Sequence, residues 1–510
     1  MGVILYPPTI DWSWMKQRPQ HLMDQFAQHG HSVFYFNKTG TAGKPVYERV
    51  APNLYLVHHA EYFIKNLWPR MRPGQGTVYW TSWSRQLPRG KSIYGSDYVV
   101  YDCVDDFPDW ESDERNHIHN ADAVVCTADG LQAKMAVLAP SKPVIQVPNG
   151  CDWDYFRRTM FRNRSVPLPG VPNRRGPKIG YIGAWAPWVD ERIIQKLGEQ
   201  IPHAEVVIVG PKLREDTAAY PANVHFLGYQ DYSKLPGILP HLNVCIIPFH
   251  VNRITQSTNP IKVYEYLAAG KPVVSTDLPE VRKMVPHVAI AGDPDDFVRQ
   301  VQSLLASPDR LQEQRSRYAK MFSWRNRYLH IQHHLSQWYP VFMDKSQPVS
   351  LVPAPRIHEI PLAHQTVNSY YRDTTFLHEP SWVGCMPAGE YRFLVKLDPG
   401  IIPASAEAVH LEFDAACRAE DGIQVDIGVS AENWAPETLS FASRPSFAAM
   451  GSMRAEDRLQ ETFSFDVTSY ARQSGAVTFE LSSPQQVVTT LGRPRLTCFV
   501  PPTTEGGDRP

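Results

Sequence analysis

Residues 258–280, TNPIKVYEYLAAGKPVVSTDLPE, decide the fold. They read in order as loop, helix, turn, strand and loop. Asn259-Pro260 opens a helix, with proline where its missing N–H costs nothing. Ile261, Tyr264 and Leu267-Ala268 form an apolar stripe at helical spacing, and Gly270 ends it. Pro272-Val273-Val274 has the character of a short buried strand, and Thr276-Asp277 follows its carboxyl end. Ligands of open α/β sheets bind beyond the carboxyl ends of strands. Glu265 lies mid-helix beside that rim, one turn after Lys262. A helix N-terminus, a lysine and a carboxylate within two turns suit a phosphate and a diol. The plainer alternative is an amphipathic helix of any α/β domain, and the flanking sequence separates the two.

Around this stretch, KIGYIGAW, AEVVIVGP, VHFLGYQ, NVCIIPF and PVVST are five strand-like runs separated by turn or helix signals. The chain opens with VILY, the loop PPTIDWSWMKQRPQ, the helix HLMDQFAQHG and the strand HSVFYF. Further strand-like runs fall at 53–57, 77–80, 98–102, 123–127 and 144–147, with helical segments between them, the pattern of a parallel sheet. No Gly-x-Gly-x-x-Gly follows the first strand, which argues against a dinucleotide-dependent dehydrogenase. Between the two α/β regions lies RRTMFRNRSVPLPGVPNRRGPK, with four prolines, seven basic residues and no acid, a linker signal. Residues 308–341 are again helical in pattern. From 346, SQPVSLVPAPRIHEIP is a second proline-rich break. Alternating runs follow, as in AVHLEFD, where Val409, Leu411 and Phe413 share one face and His410, Glu412 and Asp414 the other. Six or more such half-buried strands in about 150 residues predict an all-β sandwich of jelly-roll type.

The expected organisation is therefore α/β, two Rossmann-like domains followed by a β-sandwich. Residues 1–156 form the first Rossmann-like domain, 157–177 the basic linker, 178–324 the second Rossmann-like domain and 346–502 an accessory sandwich that folds alone. The last residues, TTEGGDRP, read as disordered.

The 258–280 stretch resembles the signature of retaining nucleotide-sugar glycosyltransferases of the GT-B fold, the family with a Glu-x7-Glu motif. The likeness extends over residues 1–340. It implies a terminal helix, about 325–343, crossing back onto the first domain. Glu265 matches the second glutamate, which in that family holds the donor ribose. The first would fall at 257, where this chain has Ser257; in the family that glutamate contacts the donor sugar. The diphosphate is implied to meet the glycine turn at Gly183. The arginine expected in that loop is replaced by Trp185 and Trp188, which leaves Arg253 and Lys262 as the nearest cations. Ser257, Thr258 and Asn259, at the helix start, complete the implied donor site. Arg18-Pro19-Gln20-His21 resembles the motif of bacterial polysaccharide-assembly transferases in this family.

Two other segments carry chemistry. VVYDCVDDFPDW ends a strand in Asp102, Asp105, Asp106 and Asp109, a costly concentration of like charge unless a ligand, metal or base shares it. Asp105 and Asp106 are the catalytic candidates, to contact the donor sugar, orient the acceptor or act as a general base; a solvated loop is the alternative. The resemblance favours retention, with the donor diphosphate accepting the proton. In DWSWMKQRPQH, Trp12 and Trp14 suit sugar stacking, and Lys16 or Arg18 an acceptor phosphate, with Trp14, Arg18 and His21 the acceptor-binding candidates; local pairing is the alternative for Arg18. His330, His333 and His334 share a helix without His-Glu-x-x-His and read as surface. Trp382 and Trp434 are a glycan platform or, more plainly, sandwich core.

Composition narrows the setting. With 510 residues, 43% of them hydrophobic, the chain holds several domains. A net charge of -1 argues against nucleic acid. Seven scattered cysteines without Cys-x-x-Cys point to reduced thiols in the cytoplasm. The N-terminus lacks the pattern of a signal peptide, and no apolar run approaches the ~20 residues of a membrane span. Any membrane contact is then peripheral, with the basic 157–178 segment its candidate and a solvated hinge the alternative. The partners expected are a nucleotide-sugar donor and a glycan or lipid-linked acceptor, without cofactor or metal. A nucleotide-sugar epimerase of the same fold and a non-catalytic glycan-binding protein are the rival readings.

Overall fold

The computed structural model describes residues 2–39, 42–161, 168–172, 176–214, 219–343, 349–368, 381–386, 389–416, 423–432, 442, 444–455, 460–472, 477–484 and 489–502. Much of the basic linker, the side chains of Trp382 and Trp434 and the tail from 503 lie outside them. The chain divides into two compact units. One comprises residues 1–34, 51–54 and 73–348, the other residues 35–50, 55–72 and 349–510.

The first unit holds two parallel sheet regions. In one, strands Val3–Tyr6, Thr77–Thr81, Tyr98–Cys103, Ala123–Cys126 and Val144–Gln146 lie side by side in chain order. The other has six strands in the spatial order Val224–Phe226, Glu205–Val209, Lys178–Ile182, Val244–Ile247, Val273–Thr276, Ala289–Ala291. All its pairings are parallel. The chain runs outward from Lys178–Ile182 in one direction, then returns and continues in the other from Val244–Ile247. The crevice of a doubly wound sheet opens at such a reversal, beyond the carboxyl ends of those two strands. Gly183 follows the first of them directly, and Arg253 lies six residues beyond the end of the second.

The helix expected from the 258–280 stretch spans Ile261–Ala268. Pro260 stands just before it in extended conformation, and Gly270 leaves it at φ +70°, a left-handed turn that glycine adopts without strain. The helix is buried on more sides than the stripe predicted: Val263 and Tyr266 are buried too. The Tyr266 hydroxyl accepts from the Ile182 N–H at 2.7 Å, fixing the helix to the end of the Lys178–Ile182 strand. The helix Trp324–Trp338 packs on the first Rossmann-like region. The Tyr328 hydroxyl meets His31 Nε2 at 3.1 Å, and Tyr328 packs edge-on against Phe26 at 5.1 Å. His330, His333 and His334 lie along this helix, with ring centroids 5.1 and 5.3 Å apart.

The second unit is antiparallel. Its sandwich core includes Phe393 and Val395, Leu411 and Phe413, Phe465, Leu481 and Leu496. Phe413 stacks on Phe463 at 5.3 Å. Two expectations are corrected here. Residues 346–502 do not group by themselves, because 35–50 and 55–72 belong to the same unit. And the polar face of AVHLEFD is not solvated: His410 and Glu412 are each 1% exposed. The cause is the 55–72 segment. His59 Nδ1 lies 3.2 Å from Glu412, the Tyr62 ring stacks on Phe499 at 3.9 Å, and the Tyr62 hydroxyl donates to Glu407. Glu412 also accepts from Thr497 at 2.8 Å. Burial opposes its charge, but His59, Arg495 and Thr497 hold its carboxyl down at about 2.

Candidate functional site

The site is built on the 183 turn and the Ile261–Ala268 helix. Gly183 has φ +152°, and a Cβ there would fall 2.7 Å from Lys262 Cε and 2.9 Å from Nζ. Only glycine allows the lysine head to lie against this backbone. Lys262 Nζ also stands 5.1 Å from the Tyr181 ring centroid and 4.7 Å from that of Phe249. Burial pushes its ammonium down to about 8, against the opposing pull of Glu265 and Asp105. One turn on, Glu265 is 7% exposed. Burial raises its carboxyl to about 7, while Lys262 and Tyr232 work in the other direction. Tyr232 was not singled out in the sequence. Its signal is only a tyrosine just after the VHFLGYQ strand, whose ring stacks on Tyr155 at 5.5 Å.

The four aspartates of the 102–109 segment do not share one ligand, because each has its own surroundings. Asp102 is buried under Arg18 and accepts from Trp80 Nε1 at 3.2 Å. Asp106 meets Lys134 at 2.6 Å and Arg253 at 3.3 Å. Burial opposes its ionisation, yet those two cations hold it below the ordinary aspartate range. This places Asp106 in an ion-pair cluster rather than free as a base. Asp109 is exposed. Asp105 alone reaches the 258–265 segment, where its Oδ1 faces the Thr258 hydroxyl at 3.4 Å. Burial pushes Asp105 up to about 7, with Thr258 and Lys262 pulling it back.

Other expected site residues take different places. Arg253 is exposed and pairs with Glu111 at 2.8 Å besides Asp106. Ser257 packs toward the start of helix Asp129–Leu138; a Cβ on Gly130 would meet its Oγ at 2.9 Å. Asn259 is fully engaged: its Oδ1 accepts from the Asn149 N–H and from Tyr264, each at 3.0 Å, and its Nδ2 donates to Glu280 at 3.3 Å. Through Asn149 it joins the two Rossmann-like regions.

Two of the acceptor candidates are buried. Arg18 is 2% exposed; its Nε and Nη2 grip Asp102 at 2.8 Å and Nη1 donates to the Val147 carbonyl at 2.9 Å. A guanidinium so occupied positions the 147–149 loop and offers no fork to an acceptor. His21 is 3% exposed, stacked on Trp324 at 4.9 Å, with Nε2 unpartnered. Trp14 remains accessible at 43% and stacks on Tyr229 at 5.2 Å.

Among the described residues, one group has metal-ligand proximity: Asp190, Glu191 and His250. Its carboxylates are already served, Asp190 by Arg192 at 2.8 Å and Glu191 by Arg214 at 3.2 Å.

Two Rossmann-like regions, with a lysine, a glycine turn and a buried glutamate at the switch point of the second, define a glycosyltransferase of the GT-B fold. Residues 176–307, the span of the second region, match the family model described as Glycosyl transferases group 1. A Bacillus subtilis (strain 168) protein, TuaH, whose name assigns it as a glycosyltransferase of teichuronic acid biosynthesis, is 26% identical over 305 residues, covering 53% of this chain and 75% of TuaH. Among solved structures, the sucrose-phosphate synthase of Thermosynechococcus elongatus superposes with a TM-score of 0.52 at 15% identity, over 67% of this chain and 100% of the synthase, a likeness of fold. No helix among the described residues is long and apolar enough to cross a membrane.

Proposed function

We propose that the protein transfers a sugar from a nucleotide-sugar donor to a growing glycan or lipid-linked glycan, with retention, in surface or exopolysaccharide biosynthesis. The observation that carries the donor reading is the Lys262 head against the Gly183 turn, with Glu265 one turn away. A lysine against exposed backbone suits a diphosphate, and a buried carboxylate suits a ribose diol. The similarity to TuaH supports the polymer setting. In the reaction the bond from the anomeric carbon to the diphosphate oxygen breaks and the acceptor oxygen bonds to that carbon from the same face. The acceptor proton passes to the departing diphosphate. Lys262 opposes the charge that collects on the leaving group, so its contribution grows toward the transition state.

The test compares two cations. Lys262→Ala is expected to lower transfer about a hundredfold. Arg253→Ala, which removes only exposed pairs, should lower it no more than about threefold. Equal, small effects in a radiolabelled-donor assay would place the diphosphate elsewhere.

We also read the basic 157–178 segment as the contact with an anionic membrane surface that carries lipid-linked acceptors. Co-sedimentation with vesicles should rise with anionic lipid, fall at high salt, and vanish when the segment's arginines become serine. Wild-type protein left in the supernatant at low salt would make the segment a hinge.

A further inference from the structure

We infer that Asp105 contacts the sugar being transferred, its carboxylate accepting hydrogen bonds from that sugar's hydroxyls. The inference rests on the donor-site reading above.

Three observations carry it. First, among the described residues Asp105 has no cation in contact, unlike its buried or half-buried neighbours Asp102 and Asp106. Asp102 is bound by Arg18 and Asp106 by Lys134 and Arg253. Second, Asp105 is under-satisfied. Its one hydrogen bond among the described residues is the long contact from the Thr258 hydroxyl, at 3.4 Å. That hydroxyl has a single proton and also faces the Ile254 carbonyl at 2.9 Å, the better distance. A carboxylate offers about four lone-pair sites, so most of its accepting capacity is open to a ligand. Third, the order of groups matches the order of atoms in a nucleotide-sugar. Lys262 feels the charges of both Glu265 and Asp105. Glu265 in turn responds to Lys262, Tyr232 and Asp152, and Asp105 to Thr258 and Lys262, neither to the other. Along the chain, the Thr258 hydroxyl that meets Asp105 lies four residues before Lys262, and Glu265 lies three residues after it on the helix Ile261–Ala268. A donor with its ribose at Glu265 and its diphosphate at Lys262 brings its sugar to Asp105.

Ser257 strengthens the assignment. It is short and packed toward Gly130, so it leaves carboxylate recognition of the sugar to another residue. Asp105 comes from the first Rossmann-like region while Lys262 and Glu265 come from the second. Sugar selection would thus depend on both regions meeting the donor.

The experiment measures binding by calorimetry to UDP, GDP, ADP and dTDP, each alone and as its glucose conjugate, with GDP-mannose added. For whichever nucleotide binds, Asp105→Asn should leave affinity for the bare diphosphate within about twofold and weaken the sugar conjugate at least about tenfold. Asp105→Ser, which removes the carboxylate but keeps a small polar side chain, should show the same selectivity. It serves as the test should Asp105→Asn not fold. Equal weakening of bare and conjugated nucleotide overturns the inference, because Asp105 would then act through Lys262. Unchanged binding of both overturns it too; if transfer is nonetheless lost together with a pH limb near 7, Asp105 is a general base. Wild-type protein that binds nothing in the panel overturns the donor reading and this inference with it.

Discussion

Glu265→Ala is expected to weaken binding of the nucleoside diphosphate by roughly 10²- to 10⁴-fold. The estimate assumes two hydrogen bonds from ribose hydroxyls to an ionised acceptor, each contributing about 1.5–3 kcal/mol. Glu265→Gln should lose less, since the amide keeps one acceptor. The pH dependence has a definite sign. Burial raises the Glu265 carboxyl to about 7, above its ordinary value of 4.5, so the folded protein holds this proton more tightly than the unfolded chain. Its contribution to stability is therefore full below about 4.5 and is lost as pH rises through about 7. Binding runs the other way, because the diol needs the carboxylate. Donor affinity should rise from pH 6 to 7 in wild type, before the Lys262 ammonium, held down to about 8, begins to lose its proton, and should lose most of that slope in Glu265→Gln. Calorimetry of the free nucleotide at three pH values checks both. An affinity for Glu265→Ala within twofold of wild type would remove Glu265 from the site.

The second large effect concerns the β-sandwich. Expressed alone, residues 346–510 should not unfold as one cooperative transition, because the face of the Ala408–Ala416 strand that carries His410 and Glu412 would lose the cover of His59 and Tyr62. Left without His59, Glu412 keeps Thr497, Ser464 and Arg495 but loses the closing contact. Leaving a buried charge short of its partner is among the costliest changes a fold can suffer. In the intact chain, Phe499→Ala removes the ring under Tyr62, and large-to-small changes of this kind cost about 3–5 kcal/mol. Thermal unfolding followed by circular dichroism should show a broad, weak transition for the isolated fragment and a lowered melting temperature for Phe499→Ala. A sharp transition for residues 346–510 alone would show that the 35–72 segments are dispensable.

These two results mark different kinds of information. Glu265, Lys262 and Gly270 were legible because one short helix and its turn set their relation locally, at spacings of three to five residues. The Gly183 turn was legible as the end of an apolar run. The parallel strands followed from the same local signals, while the crossing helix was implied by the family resemblance. What could not be read was the fate of each charged group. Whether Arg18 meets an acceptor or a buried aspartate depends on Asp102, 84 residues away. Asn259 looked like a ligand at a helix start, but its partner Asn149 is 110 residues distant and consumes it. Arg253 was counted with Lys262 because both are near the same helix start, yet Asp106 and Glu111 draw it to the other region.

The sequence by itself thus determined the elements, their alternation and the local lysine–glutamate pair, because backbone propensity and side-chain period act over a few residues. Tertiary structure alone decided which charges are spent and which remain open. It distinguished Asp105 from Asp106, three-dimensional neighbours of different cations. It also turned the polar face of AVHLEFD inward, against a segment whose His59 lies 353 residues from Glu412. An alternating strand announces that its two faces differ. It does not say what covers the polar one, because that depends on a distant part of the chain whose approach leaves no periodic trace.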